Sequence, residues 1–210
     1  TGERPVLTST EPYEKNLANG LALRSVADLA DVERLAAERG WQVGRDGAHF
    51  RRLVPSPRPR RILELGVIEL LVNRGVIVIC AGGGGIPVIC RPDGSLAGVE
   101  AVIDKDMASS LLARELKADI LLMLTDVDAV YSDWATAAAR AMRRASPGSL
   151  RELDFAPGSM APKVEAACEF VDQTGAMAAI GRLEDAQAIL RGEAGTIIRP
   201  DVAGIEWYAR

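Results

Sequence analysis

Lysine is scarce in this chain of 210 residues: of 25 basic side chains, 21 are arginine and four are lysine, at Lys15, Lys105, Lys117 and Lys163. Two of the four fall where a positive charge could do chemistry. The run Val102-Ile-Asp-Lys-Asp106 sets Asp104, Lys105 and Asp106 between an apolar pair and the start of a predicted helix. Lys163 lies in the first turn of another predicted helix, after the loop Phe155-Ala-Pro-Gly-Ser-Met-Ala-Pro162. A compact ammonium sits against a transferring phosphoryl group where a planar guanidinium does not. The helix dipole favours carboxylates at an N-terminus and disfavours a cation, a cost at Lys163 that a bound polyanion would offset. The plainer reading of the first site is that Asp104 or Asp106 caps its helix, and spacing alone admits both.

Two further segments could hold an anion. Ala81-Gly-Gly-Gly-Gly-Ile-Pro87 follows an apolar run, and Gly82, Gly83, Gly84 and Gly85 would let the backbone approach a phosphate or carboxylate with several N–H groups. No Gly-Lys-Ser/Thr follows, and Pro87 stands at the third glycine position of a dinucleotide fingerprint, so neither the P-loop nor that fingerprint is present. A flexible connection explains the glycines equally well. Thr125-Asp-Val-Asp128 ends an apolar strand pattern, at the carboxyl edge where open α/β sheets bind ligands, with a surface turn as the alternative. The one histidine, His49, has no cysteine or carboxylate pair near it in sequence and reads as structural or solvated.

These residues need elements to hold them. Leu29, Val32, Leu35 and Ala36 mark a helix from Ser25 that Gly40 stops, whereas the first 24 residues show no sustained period. Ile62–Leu65 reads as a strand; Val67, Leu70 and Leu71 as a short helix closed by Gly75; Val76–Cys80 as a buried strand. Pro87–Cys90, the Pro92-Asp-Gly94 turn and a short strand suggest a hairpin. A helix over about 105–116, a buried strand at Ile120–Thr125, a helix over Pro162–Thr174, a strand at Ala176–Ile180, a short helix around Ile189 and a strand at Thr196–Ile198 complete the pattern. Strands alternating with helices imply an α/β fold with a mostly parallel sheet covered on both faces.

Composition narrows the function. With 48% hydrophobic and 26% charged residues the chain is of ordinary globular type, and a chain of this size buries roughly 70% of its surface, enough for one large domain. No apolar run approaches the ~18 residues that span a bilayer. Thr1–Tyr13 lacks the basic and apolar regions of a signal peptide. A net charge of -4 gives no reason to expect nucleic acid or an anionic membrane as partner. Cys80, Cys90 and Cys168, odd in number and without Cys-x-x-Cys spacing, suggest reduced thiols in a cytoplasm.

Taken together, Val54-Pro-Ser-Pro57, the GGGGIP run, Gly98-Val-Glu-Ala-Val-Ile-Asp-Lys-Asp106, Thr125-Asp-Val-Asp128 with Tyr131, and Pro157-Gly-Ser-Met-Ala-Pro-Lys-Val-Glu-Ala166 closely resemble, in order, the motifs of the carbamate kinase family of the amino acid kinase superfamily. The resemblance implies a three-layer α/β/α sandwich, a nucleotide over the carboxyl edge of the sheet, and a homodimer. It implies phosphoryl transfer between carbamoyl phosphate and ADP, giving ATP and carbamate, with Mg²⁺, in arginine breakdown. Carried over by residue, Gly82–Gly85 would bind carbamoyl phosphate, Asp106 would organise the active-site lysines, Lys163 would neutralise the transferring phosphoryl group, and Lys105, next to Asp106, would be a further participant. Asp126, Val127, Asp128, Tyr131, Gly158, Ser159 and Met160 would line the nucleotide site. Ala161 stands where the family usually has glycine, and the family's amino-terminal strand and Gly-Gly-Asn phosphate loop have no match. The expected division is a remnant of the protruding region over 1–40, a kinase domain over 41–200 and a tail over 201–210, an incomplete amino acid kinase fold. The alternative is a nucleotide-binding or dimerisation module without turnover. A kinase for an amino acid or uridylate fits the Val-Pro-Ser-Pro and PGSMAPK segments less well.

Overall fold

The computed structural model describes residues 5–8, 29–46, 49–155 and 159–209. Its centre is a six-stranded sheet. The strands are β6 (Ile120–Thr125), β9 (Met177–Arg182), β10 (Thr196–Ile198), β8 (Arg140–Ala145) and β11 (Ile205–Trp207), in that spatial order, with β7 (Tyr131–Ser132) paired to β8. The sheet is mixed: β6–β9 and β8–β10 run parallel, while β9–β10, β8–β11 and β7–β8 run antiparallel.

Period-two alternation decides what each strand faces. Leu121, Met123, Ala178, Ile180 and Ile198 point to one side, where they pack with Val164, Ala167, Phe170 and Val171 of helix α5 (Met160–Thr174). Their neighbours Leu122, Leu124, Ala179 and Ile197 point to the other, against Ile189 of the short helix α6 (Ala186–Leu190). Helix, sheet and helix therefore make the three layers. Phe170, Ile180 and Ile198 have no exposed surface, and burying side chains of this size stabilises a fold by about 1.5–3 kcal/mol each.

Helix α3 (Lys105–Glu115) is shared between two cores. Met107 belongs with the sheet, while Ala108 and Leu111 turn to a second cluster with Ile62, Ile68 and Ile103. Ser110 ties α3 to α5 by donating its hydroxyl to the Ala166 carbonyl at 2.9 Å. Helix α4 (Pro147–Arg151) leads towards α5, and α1 (Leu29–Arg39) precedes the hairpin of β2 (Gln42–Asp46) and β3 (His49–Leu53). A small antiparallel sheet joins β1 (Pro5–Thr8), β4 (Ile86–Cys90) and β5 (Leu96–Gly98).

The structure differs from the sequence reading in four places. Ile62–Leu65 is not a strand but the turn into α2 (Leu65–Asn73), closed by the Leu65 N–H on the Ile62 carbonyl at 3.4 Å; short apolar runs do not separate strand from helix entry. Val76–Cys80 forms no strand either. Val78 and Cys80 pack on the second cluster, but Ile77 and Ile79 are 93% and 96% exposed, and no described strand pairs with the segment. From Ile77 to Cys80 it alternates as a strand would, with Val78 and Cys80 partly covered and Ile77 and Ile79 bare. Within the first 24 residues, where no period was evident, Pro5–Thr8 nevertheless forms β1 against β4. Residues set apart as a terminal tail include β11, an edge strand of the central sheet. The expected helix start at 25–28 lies outside the described residues.

Candidate active site

Helices α3 and α5 begin beside each other, at the carboxyl end of β6. The side chain of Asp104 caps α3, its Oδ1 accepting the N–H groups of Asp106 at 2.8 Å and Met107 at 2.9 Å. Capping therefore falls to Asp104 and leaves the Asp106 carboxylate for another partner. That partner is Lys163, whose Nζ donates to Asp106 Oδ2 at 2.9 Å. The two side chains are only 14% and 12% exposed, so the pair is screened little by solvent. Lys105 Nζ stands 3.6 Å from the same oxygen with its side chain largely in solvent. The carboxylate offsets the unfavourable placement of Lys163 at a helix N-terminus.

These charges form one end of a cavity of about 800 Å³. The floor is the edge of β6, with Thr125, Asp126 and Val127; the start of α5 adds Ser159, Met160 and Pro162. Part of the lining is aromatic. Tyr131 and Trp134 meet edge to face with ring centroids 5.1 Å apart, and Phe155 and Leu153 line the cavity too. Tyr131 Oη donates to Asp128 at 3.0 Å (Oδ1) and 3.2 Å (Oδ2). Burial, then this hydrogen bond and the nearby carboxylate charge, push the Tyr131 phenol above its ordinary value, with Arg182 opposing.

Trp134 is carried on a tight turn. Asp133 and Ala135 on either side have φ of 50° and 63°, a left-handed conformation costing about 1–2 kcal/mol for a residue with a Cβ. Thr136 secures the turn through its N–H and hydroxyl, both donated to the Asp133 carbonyl at 3.1 and 2.8 Å. The turn presents an indole that is 58% exposed at the mouth of the cavity.

Lys105, Asp106, Asp126, Val127, Tyr131, Ser159, Met160 and Lys163 are thus brought to one cavity. Asp128 stands behind its wall, joined through Tyr131. Gly158 lies outside the described residues. The glycine run is not among the residues lining this cavity; it meets the site through backbone packing. Gly84, at φ 95°, is pressed on the residue that precedes the α3 cap, and a Cβ there would overlap the Ile103 carbonyl. Sequence reasoning missed Trp134, Leu153 and Phe155. The signal for Trp134 was available, since it is one of three tryptophans and follows the Thr-Asp-Val-Asp motif closely.

The family model of the amino acid kinases, described as "Amino acid kinase family", matches residues 23–181. The chain belongs to that family. Among curated members, a carbamate kinase of Rhizobium meliloti is 48% identical over 185 residues, covering 87% of this chain and 57% of its own length. One from Haemophilus influenzae is 50% identical over 179 residues, covering 85% and 58%. The chain therefore spans little more than half the length of these relatives. A solved structure of the family, carbamate kinase from Giardia lamblia bound to AMP-PNP, superimposes with a TM-score of 0.75 at 37% identity, over 93% of this chain and 63% of that one. The amino acid kinase fold is shared with these relatives. Among the described residues no helix is long and apolar enough to cross a membrane.

Proposed function

We propose that the cavity binds ADP or ATP and that the chain carries the phosphoryl-transfer site of a carbamate kinase. The observation that carries this reading is the Lys163–Asp106 pair at 2.9 Å, set between two helix starts at the polar end of an aromatic-walled cavity. A purine has flat apolar faces to lay against Trp134 and Met160, and a phosphate chain has charge to place near Lys163 and Lys105. The Giardia relative's AMP-PNP supports a nucleotide of this class. The glycine run, fixed at Gly84 to the approach of α3, would take the carbamoyl phosphate.

In the reaction, an ADP β-phosphate oxygen forms a bond to the phosphorus of carbamoyl phosphate as the bond from that phosphorus to the carbamate oxygen breaks. The electron pair leaves with carbamate, so no general base is needed. The Lys163 ammonium, held by Asp106, faces the charge spread over the transferring oxygens, and Lys105 adds to it; positioning and charge neutralisation do the catalytic work. Among the described residues no three His, Cys, Asp or Glu side chains gather for a metal. Mg²⁺ fits this site as the counter-ion of the nucleotide phosphates, with Asp126 among the lining carboxylates that would hold it; it would supply charge neutralisation.

A homodimer in a reducing cytoplasm completes the proposal. It is supported by the exposed apolar residues Val67, Leu70 and Leu71 on α2 and by three unpaired thiols. The second reading, a nucleotide-binding module without turnover, is favoured by the bare Ile77 and Ile79. One experiment separates them: thermal unfolding with and without Mg·ADP, followed by ATP formation from ADP and carbamoyl phosphate. Stabilisation with ATP formation supports the kinase, and stabilisation alone supports the module. Saturating ADP at 100 times its Kd would add about 2.7 kcal/mol; no shift and no ATP would overturn both.

A further inference from the structure

Thr196 has no exposed surface and takes no part in the cavity wall, yet its hydroxyl stands at the root of that wall. Oγ1 accepts the N–H of Val130 at 2.8 Å and donates to the Met142 carbonyl at 2.6 Å. The Met142 N–H in turn donates to the Val130 carbonyl at 2.9 Å. One side-chain oxygen thereby joins β10 to β8 and to the segment leaving β6. Immediately beyond Val130 come Tyr131, which holds Asp128, and Trp134, which rests on Tyr131. The same segment has other seats: Tyr131 and Ser132 pair with Ala141 and Arg140 of β8, and the Asp128 carbonyl stands against Gly181 of β9, where a Cβ would lie 3.2 Å from that oxygen and 3.0 Å from the Gly195 Cα.

We infer that Thr196 is a positioning residue for nucleotide binding: its hydroxyl fixes the Val130 backbone and, through it, the Tyr131–Trp134 wall. The inference rests on the nucleotide reading of the cavity. Val130 is fully buried, so an N–H deprived of the hydroxyl must stay unpaired or turn towards water. Turning that peptide, which joins Ala129 to Val130, displaces the Val130 Cα from which β7 starts and loosens the pairing that seats Tyr131 against Ala141. Lys163 and Asp106 are held from α5 and α3 and are untouched by such a shift. Removing the hydroxyl should therefore weaken capture of the nucleoside end and spare the phosphate end.

Thr196→Val keeps the shape and removes the oxygen, while Thr196→Ser keeps the oxygen. In the 210-residue chain, with Trp41 and Trp207 replaced by phenylalanine so that Trp134 alone emits, the Kd for ADP is read from fluorescence and checked by calorimetry. The Val variant should bind ADP roughly tenfold more weakly, with Trp134 emission shifted to the red and far-ultraviolet circular dichroism unchanged. The Ser variant should return to within about threefold of the parent. Hydrogen exchange at the Val130 amide of the unaltered chain gives a readout that survives failure of the Val variant to fold: protection matching the β9 amides is expected, and exchange at the rate of an open loop would overturn the role. A parent that binds ADP while the Val variant binds it equally well overturns the inference alone. A parent that does not bind ADP overturns the nucleotide reading and this role with it.

Discussion

Lys163 on α5 and Asp106 on α3 are 57 residues apart in the chain and 2.9 Å apart in the fold. The cap of α3 is made by Asp104, and a lysine at the start of α5 opposes the helix dipole. The pair is explicable as a device that holds an ammonium at a fixed place on the cavity wall.

Replacing Lys163 tests the ammonium itself. Lys163→Ala should lower kcat by roughly 10²-fold or more, about 3 kcal/mol, while ADP affinity changes less. Lys163→Arg should fall similarly, because the planar guanidinium does not reproduce a compact charge. ATP formation followed by luminescence reads both variants, and near-normal kcat in Lys163→Arg would show that any cation suffices.

Asp104 and Asp106 should separate stability from chemistry. Asp104→Ala removes the acceptor for two N–H groups and should cost about 1 kcal/mol in urea unfolding. Asp106→Asn leaves the cap intact but removes the negative charge that holds Lys163, so turnover should collapse, with a loss of stability of about 1–3 kcal/mol from the weakened charged hydrogen bond. A fully active Asp106→Asn would refute the orienting role.

Ile77 and Ile79, bare in the structure, should govern self-association. Ile77→Lys with Ile79→Lys should change unfolding free energy by no more than about 0.5 kcal/mol, since neither side chain is packed, while shifting sedimentation towards smaller species. A large loss of stability without a change in sedimentation would mean that these side chains are covered within the chain.

Cys168 carries a pH dependence of known sign. Burial pushes its thiol up to about 11, from an ordinary 9.0. Between those values the unfolded chain loses a proton that the folded chain keeps, so stability falls as pH rises. The contribution is whole below about pH 9 and disappears towards pH 11. Melting temperatures of the parent and Cys168→Ala across pH 7–11 should converge at the alkaline end, and parallel curves would show no linkage at Cys168. At pH 8 a thiol reagent should modify the exposed Cys90 and reach Cys168 only on unfolding.

How much was legible from the chain depended on whether the deciding contacts were local. The scarcity of lysine, the Asp104–Lys105–Asp106 cluster at a helix start and the Thr-Asp-Val-Asp edge of β6 are local features, and helical or strand periodicity located α3, α5, β6 and β9 closely. The unbroken apolar run Ile120–Leu124 marked a buried strand but not which residues face which helix. Other outcomes were decided by what met what in space. Sequence left open whether Asp104 or Asp106 capped α3; the approach of α5 with Lys163 accompanies the separation of the two roles. Val76–Cys80 has the composition of a buried strand, but a strand needs a neighbour to pair its N–H and C=O groups, and none of the described strands stands beside it. Thr196 lies in a short apolar run with no motif around it, and the role proposed for it arises because β10 passes beside Val130, so that a hydroxyl 66 residues away meets an amide at the root of the aromatic wall.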